Sequence, residues 1–433
     1  MSASHRPNIL FIICHDVGQH LGCYGAGLAT PKLDELAADG VRFTKYACTA
    51  AQCSPSRGSI MTGRYPHNNG LVGLAHIGWE LHDDEVTIPM HLNDDGYDTY
   101  LFGGQHESAE PERLGYQNIR GESGNALGIA PRVAEFLRER GEAGAEQPFF
   151  ACVGIAEPHR PYQREGYNAD DPAHVTLLPW LPDRPGIRED IAGLNGLMYA
   201  VDEAVGIMTD ALTHSGLEES TLVVFTTDHG LAMPRAKGMC YDPGIMTALI
   251  MRLPGRFDGG RTHDDLLGNV DMLPTLLDLV GTPASERVEG RSFLGLLDGA
   301  DYAPREDVFV EMTWHDKYNP MRGIRTTRHK YVRNFGDRPL VYLPSDIYRG
   351  RAGEEMRDEY YATSRPEEEL YDLASDPLEY NNLAGDTEHD EVLGTLRDRV
   401  QQWMQETGDP LVQGDWPPTE KQRQRLETDT TPN

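Results

Sequence analysis

The chain has 433 residues, enough to bury a large core and to divide into a main domain and a smaller one. Its net charge of −30 argues against nucleic acid or an anionic membrane as a partner. Six cysteines in a chain this long do not suggest a disulfide framework, and Cys14, Cys23, Cys48, Cys152 and Cys240 read as small buried side chains.

The opening residues Met1–Arg6 carry no apolar stretch, so no signal peptide is expected and the protein is expected in the cytoplasm. The first aliphatic run, Ile9–Ile13, is too short to span a membrane. Asn8–Cys14 reads as a short buried strand, as do Thr99–Phe102, Phe149–Val153, Leu222–Thr226 and Ala248–Met251. Between them lie helical patterns. Ser54-Pro55-Ser56 opens a helix continued by Arg57–Met61. Ile191, Leu194, Met198, Val201, Val205, Met208 and Leu212 form an apolar stripe ended by Gly216. Thr275–Val280 is another helix, closed by Gly281 and Pro283. This alternation predicts an α/β main domain, a mostly parallel sheet sandwiched by helices, with ligands beyond the carboxyl ends of its strands.

From about Arg305 the pattern changes to a small α+β domain. Val308–Glu311, Lys330–Asn334 and Leu340–Leu343 are candidate antiparallel strands, and Glu391–Gln405 is a packing helix. From Gln413 the chain turns polar and Pro-rich, and poor order is expected there. The expected division is 1–304, 305–412 and a tail of 413–433.

The chemistry-bearing residues follow the strands. His15-Asp16 ends the first, Gly104-Gln105-His106 follows the second, Glu157-Pro158-His159-Arg160 the third and Asp228-His229-Gly230 the fourth. Alone, an Asp in such a place caps a helix and a lone His is structural. Four strands delivering His and Asp to one rim is not a packing pattern. The run Cys53-Ser54-Pro55-Ser56-Arg57 extends through Gly58-Ser59-Ile60-Met61-Thr62-Gly63-Arg64. It sets Cys53 at a helix start, where backbone N–H groups and the positive helix end favour an anion, with Arg57 as an added cation.

This twelve-residue run resembles the maturation signature of the type I sulfatases, a branch of the alkaline phosphatase superfamily. The resemblance extends along the chain. Pro7-Asn8-Ile9-Leu10, Pro158-His159-Arg160-Pro161, Asp228-His229-Gly230, Lys237-Gly238-Met239-Cys240-Tyr241-Asp242-Pro243-Gly244, Asp271-Met272-Leu273-Pro274 and Glu369-Leu370-Tyr371-Asp372-Leu373 all look like family segments. Tyr241 with its Pro-Gly, and His315 ahead of Pro320-Met321-Arg322, point to the heparan N-sulfatase (sulfamidase)-like branch.

The resemblance implies an alkaline-phosphatase-like fold and hydrolysis of a sulfate ester or sulfamate. It implies that a separate maturation enzyme oxidises Cys53 to formylglycine. The hydrate of that aldehyde attacks sulfur, with a divalent metal held by His15, Asp16, Cys53, Asp228 and His229. Arg57, Lys237 and His159 face the sulfate, His159 or Lys237 protonates the leaving group, and His106 deprotonates the second hydroxyl. His315 is a candidate for recognising a small-molecule or saccharide sulfate, and His67 for supporting the network.

Three departures from the family pattern stand out. The metal turns read His-Asp and Asp-His where the family has Asp-Asp and Asp-Asn. Calcium, expected by resemblance, prefers oxygen ligands, whereas two imidazoles suit manganese, iron or zinc. The third is Gly104, at a position where the family often carries lysine. An Asp-His second turn also occurs in phosphonate monoester hydrolases, so a phosphonate monoester or phosphodiester hydrolase is the alternative activity. A catalytically inactive sulfatase-like binding protein is a further one. Only six of the 39 basic residues are lysine, and such an acidic, lysine-poor surface suits a salt-adapted protein whose charges are screened.

Overall fold

The computed structural model describes residues 6–121 and 124–432, so Met1–His5, on which the leader reading rests, lie outside it. Thirteen strands are present among these residues. The main sheet contains β1 (Asn8–Cys14), β2 (Val41–Ala47), β3 (Asp98–Gly103), β4 (Asn118–Arg120), β5 (Phe149–Ile155), β6 (Thr221–Thr227), β7 (Met246–Arg252), β8 (Arg261–His263) and β9 (Leu267–Gly268). Their order is β4-β3-β5-β1-β6-β7-β2-β8, with β9 also pairing with β2. β1 is central and runs parallel to both β5 and β6; β7 is antiparallel to both its neighbours. The sheet is therefore mixed but mostly parallel.

β1, Asn-Ile-Leu-Phe-Ile-Ile-Cys, is buried from its second residue onward. Successive side chains alternate between faces. Ile9, Phe11 and Ile13 join one apolar cluster, and Leu10, Ile12 and Cys14 join another. Helices cover both. The 30-residue helix Pro185–His214 lies on the second face with Ala126–Ala143, and Met272–Val280 lies on the first. Among the described residues no helix is long and apolar enough to cross a membrane.

The second sheet is antiparallel in the order β10-β11-β12-β13: Asp307–Trp314, Tyr318–Thr326, His329–Asn334 and Glu368–Asp372. Helix Asp390–Glu406 packs on it through Leu393, Leu396, Val400 and Trp403, with the Trp403 and Phe309 rings stacked at 4.6 Å.

Two expectations need correction. Leu340–Leu343 is not a strand; the only pairing nearby is an isolated bridge between Pro339 and Ser364. The C-terminal stretch carries a helix that a reading as a featureless polar tail does not include. Glu420–Thr428 forms a helix capped by Thr419 and docked by Gln422, which is fully buried between Trp79 and the Asp316 carbonyl. Trp314 also donates to the Trp416 carbonyl. Gln422 makes specific buried hydrogen bonds in a largely exposed polar helix, which a composition argument does not register.

Candidate active site

The two acidic turns meet at the carboxyl ends of β1 and β6. Asp16 has a positive φ of 53°, a conformation uncommon for a non-glycine residue and concentrated at functional sites. It is held there because its N–H donates to Asp228 Oδ1 at 2.9 Å. The same oxygen accepts from His229 N at 2.9 Å. Glycines let the turns interlock: Gly18 (φ 57°) donates to the His229 carbonyl at 2.8 Å, and a Cβ on Gly230 would run into the Pro243 carbonyl.

Asp16, Asp228, His15 and Cys53 are buried with their ligand atoms all within 4.8 Å of one another. His229 joins them. Its Nε2 is 2.9 Å from Asp16 Oδ1 and 3.3 Å from Cys53 Sγ, while its Nδ1 meets the Gly230 carbonyl at 2.8 Å. That carbonyl accepts a hydrogen bond from Nδ1–H and so turns Nε2 inward, the orientation a metal-ligating histidine adopts. His15 Nδ1 lies 3.0 Å from Asp228 Oδ2 but out of hydrogen-bonding alignment, leaving it buried without a partner. Burial alone would lower the His229 imidazole, but the Asp228, Cys53 and Asp16 charges carry it well above its ordinary value. Two buried carboxylates, the unpartnered His15 Nδ1 and an inward His229 Nε2 whose proton an ion would displace fit a divalent cation. The mixed oxygen and nitrogen donors match manganese, iron or zinc better than an all-oxygen calcium cage.

Helix Cys53–Thr62 delivers Cys53 at its first position and Arg57 one turn on. All ten residues are buried although half are polar. Hydrogen bonds compensate: Ser56 Oγ donates to the Asp228 carbonyl, Thr49 Oγ1 to Ser59 Oγ, and Asn269 Nδ2 to the Ser56 carbonyl at 3.0 Å. Arg57 Nε pairs with Asp228 Oδ2 at 2.9 Å, and Nη1 lies 3.9 Å from Glu107 Oε1. Its Nη2 is buried without a partner, an unused donor at an anion site. Burial pushes the Cys53 thiol up, with Lys237 opposing, so the residue as encoded is a poor thiolate nucleophile.

The remaining candidates surround Cys53 unequally. A His106 ring nitrogen is within 4.8 Å of its sulfur, and the His106 ring stands 4.4 Å from that of His15. Burial, then His15 and Arg57, lower His106 to about 2, leaving a neutral imidazole. His159 is half-exposed at the mouth, its Nε2 4.0 Å from Asp16 Oδ2. Lys237 is no solvated surface lysine: it is 1% exposed, with Nζ 3.1 Å from Asp16 Oδ2 and 3.0 Å from Asp346 Oδ2. His315 is buried against Asp316, its Nδ1 3.0 Å from Asp316 Oδ2, and Asp316 in turn accepts from Ser345 N next to Asp346. His67 is elsewhere, bonded to Glu311 at 2.6 Å and to Thr407 at 2.9 Å in an ion-pair network with Arg322 and Asp409. Sequence reasoning missed Glu107 and Asp346, the partners of the two cations.

A mixed α/β sandwich with buried carboxylates and histidines beside Arg57 and Lys237 at its strand ends has the features of a hydrolase of oxyanion esters. The Sulfatase family profile matches residues 7–282, and that of the N-sulphoglucosamine sulphohydrolase C-terminal domain matches residues 229–344. The chain belongs to the sulfatase family and is a hydrolase of sulfuric esters by class. Human N-sulphoglucosamine sulphohydrolase is 28% identical over 94% of this chain and 92% of its own. An ulvan-active sulfatase of Formosa agariphila is 27% identical over 93% of this chain and 76% of its own. Among solved structures, the yidJ protein of Bacteroides fragilis superposes with a TM-score of 0.77 at 22% identity, covering 96% of this chain and 99% of that one. The phosphonate monoester hydrolase SpPMH of Silicibacter pomeroyi gives 0.72 at 22% identity, covering 93% and 96%. These structural likenesses establish the fold.

Proposed function

We propose that the protein hydrolyses a sulfate ester or sulfamate through formylglycine formed from Cys53, assisted by one divalent metal. The observation that carries this reading is the position of Cys53. Its sulfur is 3.3 Å from His229 Nε2 and 3.8 Å from Asp16 Oδ1, at a helix start flanked by Arg57. Asp16, Asp228 and His229 would hold the metal, with His15 beside Asp228. When bound, the metal supplies Lewis acidity toward a sulfate oxygen and the residue-53 hydroxyl. Arg57 Nη2 offers its unused N–H to the anion. The oxygen on residue 53 forms a bond to sulfur as the bond to the leaving group breaks, and His159 or Lys237 supplies the proton to the leaving atom. His106, neutral, takes the proton of the second hydroxyl as sulfate departs and the aldehyde returns.

Phosphonate monoester or phosphodiester hydrolysis is the second reading, favoured by His229 in the second acidic turn. Parallel kinetics with an aryl sulfate, N-sulfoglucosamine and an aryl phosphonate monoester test both. Turnover of a sulfate substrate with kcat/KM well above that for the phosphonate supports the first reading; the reverse order overturns it. No turnover of any by aldehyde-containing, metal-loaded protein supports an inactive binding protein.

A further inference from the structure

One carboxylate outside the catalytic centre joins three parts of the molecule. Asp316 Oδ2 accepts from Ser345 N at 2.7 Å and contacts His315 Nδ1 at 3.0 Å. Asp316 Oδ1 accepts from Arg425 Nη2 at 2.5 Å, and the Asp316 carbonyl accepts from Gln422 Nε2 at 2.9 Å. Arg425 and Gln422 belong to the C-terminal helix. Ser345 starts the short helix Ser345–Tyr348, whose next residue, Asp346, holds Lys237. Contacts thus run unbroken from Arg425 through Asp316 and the 345–346 segment to Lys237 and Asp16. Asp316 is 1% exposed, so its negative charge depends on these donors. His315 is the other side chain held by Asp316.

We propose that Asp316 is a positioning residue for the leaving-group side of the site, and that the C-terminal helix holds it in place through Arg425. This rests on the reading above, in which Lys237 and His159 face the leaving group. Without the Arg425 guanidinium, Asp316 loses one of its counter-charges and its tie to the C-terminal helix, so its hold on the Ser345 N–H and on His315 loosens. The contacts of Asp16, Asp228 and Cys53 with one another are left intact. Loss of Arg425 therefore harms substrates that need help at the leaving atom and spares those that do not.

The test compares wild type with Arg425→Ala, Asp316→Asn, Arg425→Lys and the exposed same-helix control Lys421→Ala. Each is assayed on an activated aryl sulfate and on a poorly activated alkyl sulfate. The ratio of the two kcat/KM values is independent of how much enzyme is folded or matured. Expected is a fall in the alkyl-to-aryl ratio of about ten-fold in Arg425→Ala and Asp316→Asn, the size of one charge-assisted hydrogen bond. Arg425→Lys should recover most of it and Lys421→Ala should show none. Hydrogen–deuterium exchange is read in parallel: residues 345–348 should exchange faster in Arg425→Ala while β1 stays protected. Equal losses on both substrates, or unchanged exchange at 345–348, overturn the proposal. If wild type cleaves neither sulfate, the functional reading fails, and the exchange result alone decides whether Arg425 secures the 345–348 segment.

Discussion

Lys237 Nζ and Asp16 Oδ2 stand 3.1 Å apart across 221 residues of chain, both buried. The pair fixes a cation against the carboxylate that would also bind metal. Asp346, from the C-terminal part, holds the same ammonium from the other side at 3.0 Å. Burial would lower the lysine, yet Asp16 and Asp346 carry it well above its ordinary value, so it stays charged.

Lys237→Ala should lower kcat/KM by roughly two to three orders of magnitude, the worth of a charge-assisted contact in a water-poor site. The substitution also leaves Asp16 without a nearby ammonium. Loss of one partner of a buried pair costs about 3–5 kcal/mol. Metal-free Lys237→Ala should therefore melt well below wild type and regain much of the difference on metal addition. Near-wild-type kinetics with unchanged melting would show that the lysine neither meets the substrate nor supports Asp16.

Residue 53 is testable by mass. The peptide containing Cys53 should be lighter than encoded and should react with a hydrazide reagent. Cys53→Ala should abolish turnover, and since a single sulfur is removed from a buried site, melting should shift by no more than about 2 kcal/mol. A fully active protein carrying an unmodified thiol would refute the formylglycine route.

Glu379 gives a pH prediction away from the metal turns. It is buried at a positive φ of 58°, with Lys330 Nζ at 2.7 Å. Burial raises its carboxyl to about 7, against the pull of Lys330. A raised pKa means that the folded protein keeps a proton the unfolded chain releases near 4.5. That stability is fully present below about 4.5 and is lost as pH rises through about 7. Glu379→Gln removes the titration while keeping an acceptor for Lys330. The melting temperature of Glu379→Gln minus that of wild type should become more positive from pH 5 to pH 8. A difference that is flat across that window would show that Glu379 is ionised throughout.

The sequence made some of this arrangement plain and hid the rest for physical reasons. β1 and β6 carry uninterrupted apolar stretches, Ile9–Cys14 and Leu222–Phe225, because both their faces are covered, and the polar residues after them lead into the acidic turns. β2, Val-Arg-Phe-Thr-Lys-Tyr-Ala, went unread because polar residues interrupt it. Leu340–Leu343 is as apolar as a strand, but Val341–Leu343 are buried by packing and the segment pairs only at one bridge beside Leu340. Glu107 carried a faint signal, standing beside His106 in the same loop. Asp346 carried none: it is one acid among many, and only folding brings it across 109 residues to Lys237. Trp416 and Gln422 dock in a segment whose composition reads as tail.

The metal is the sharpest remaining test. Asp16 and Asp228 supply charge, whereas His15 and His229 supply neutral nitrogen, so loss of a carboxylate should cost more metal than loss of an imidazole. Asp16→Ala should lose metal and activity together. Asp228→Ala should do the same and also release Arg57, whose Nε it holds at 2.9 Å. His229→Asn replaces nitrogen with an amide oxygen, and its preference should move toward calcium. Elemental analysis of wild type should find manganese, iron or zinc near one equivalent. Stoichiometric calcium with none of these would overturn the argument from the two imidazoles, while leaving the roles of Asp16 and Asp228 standing.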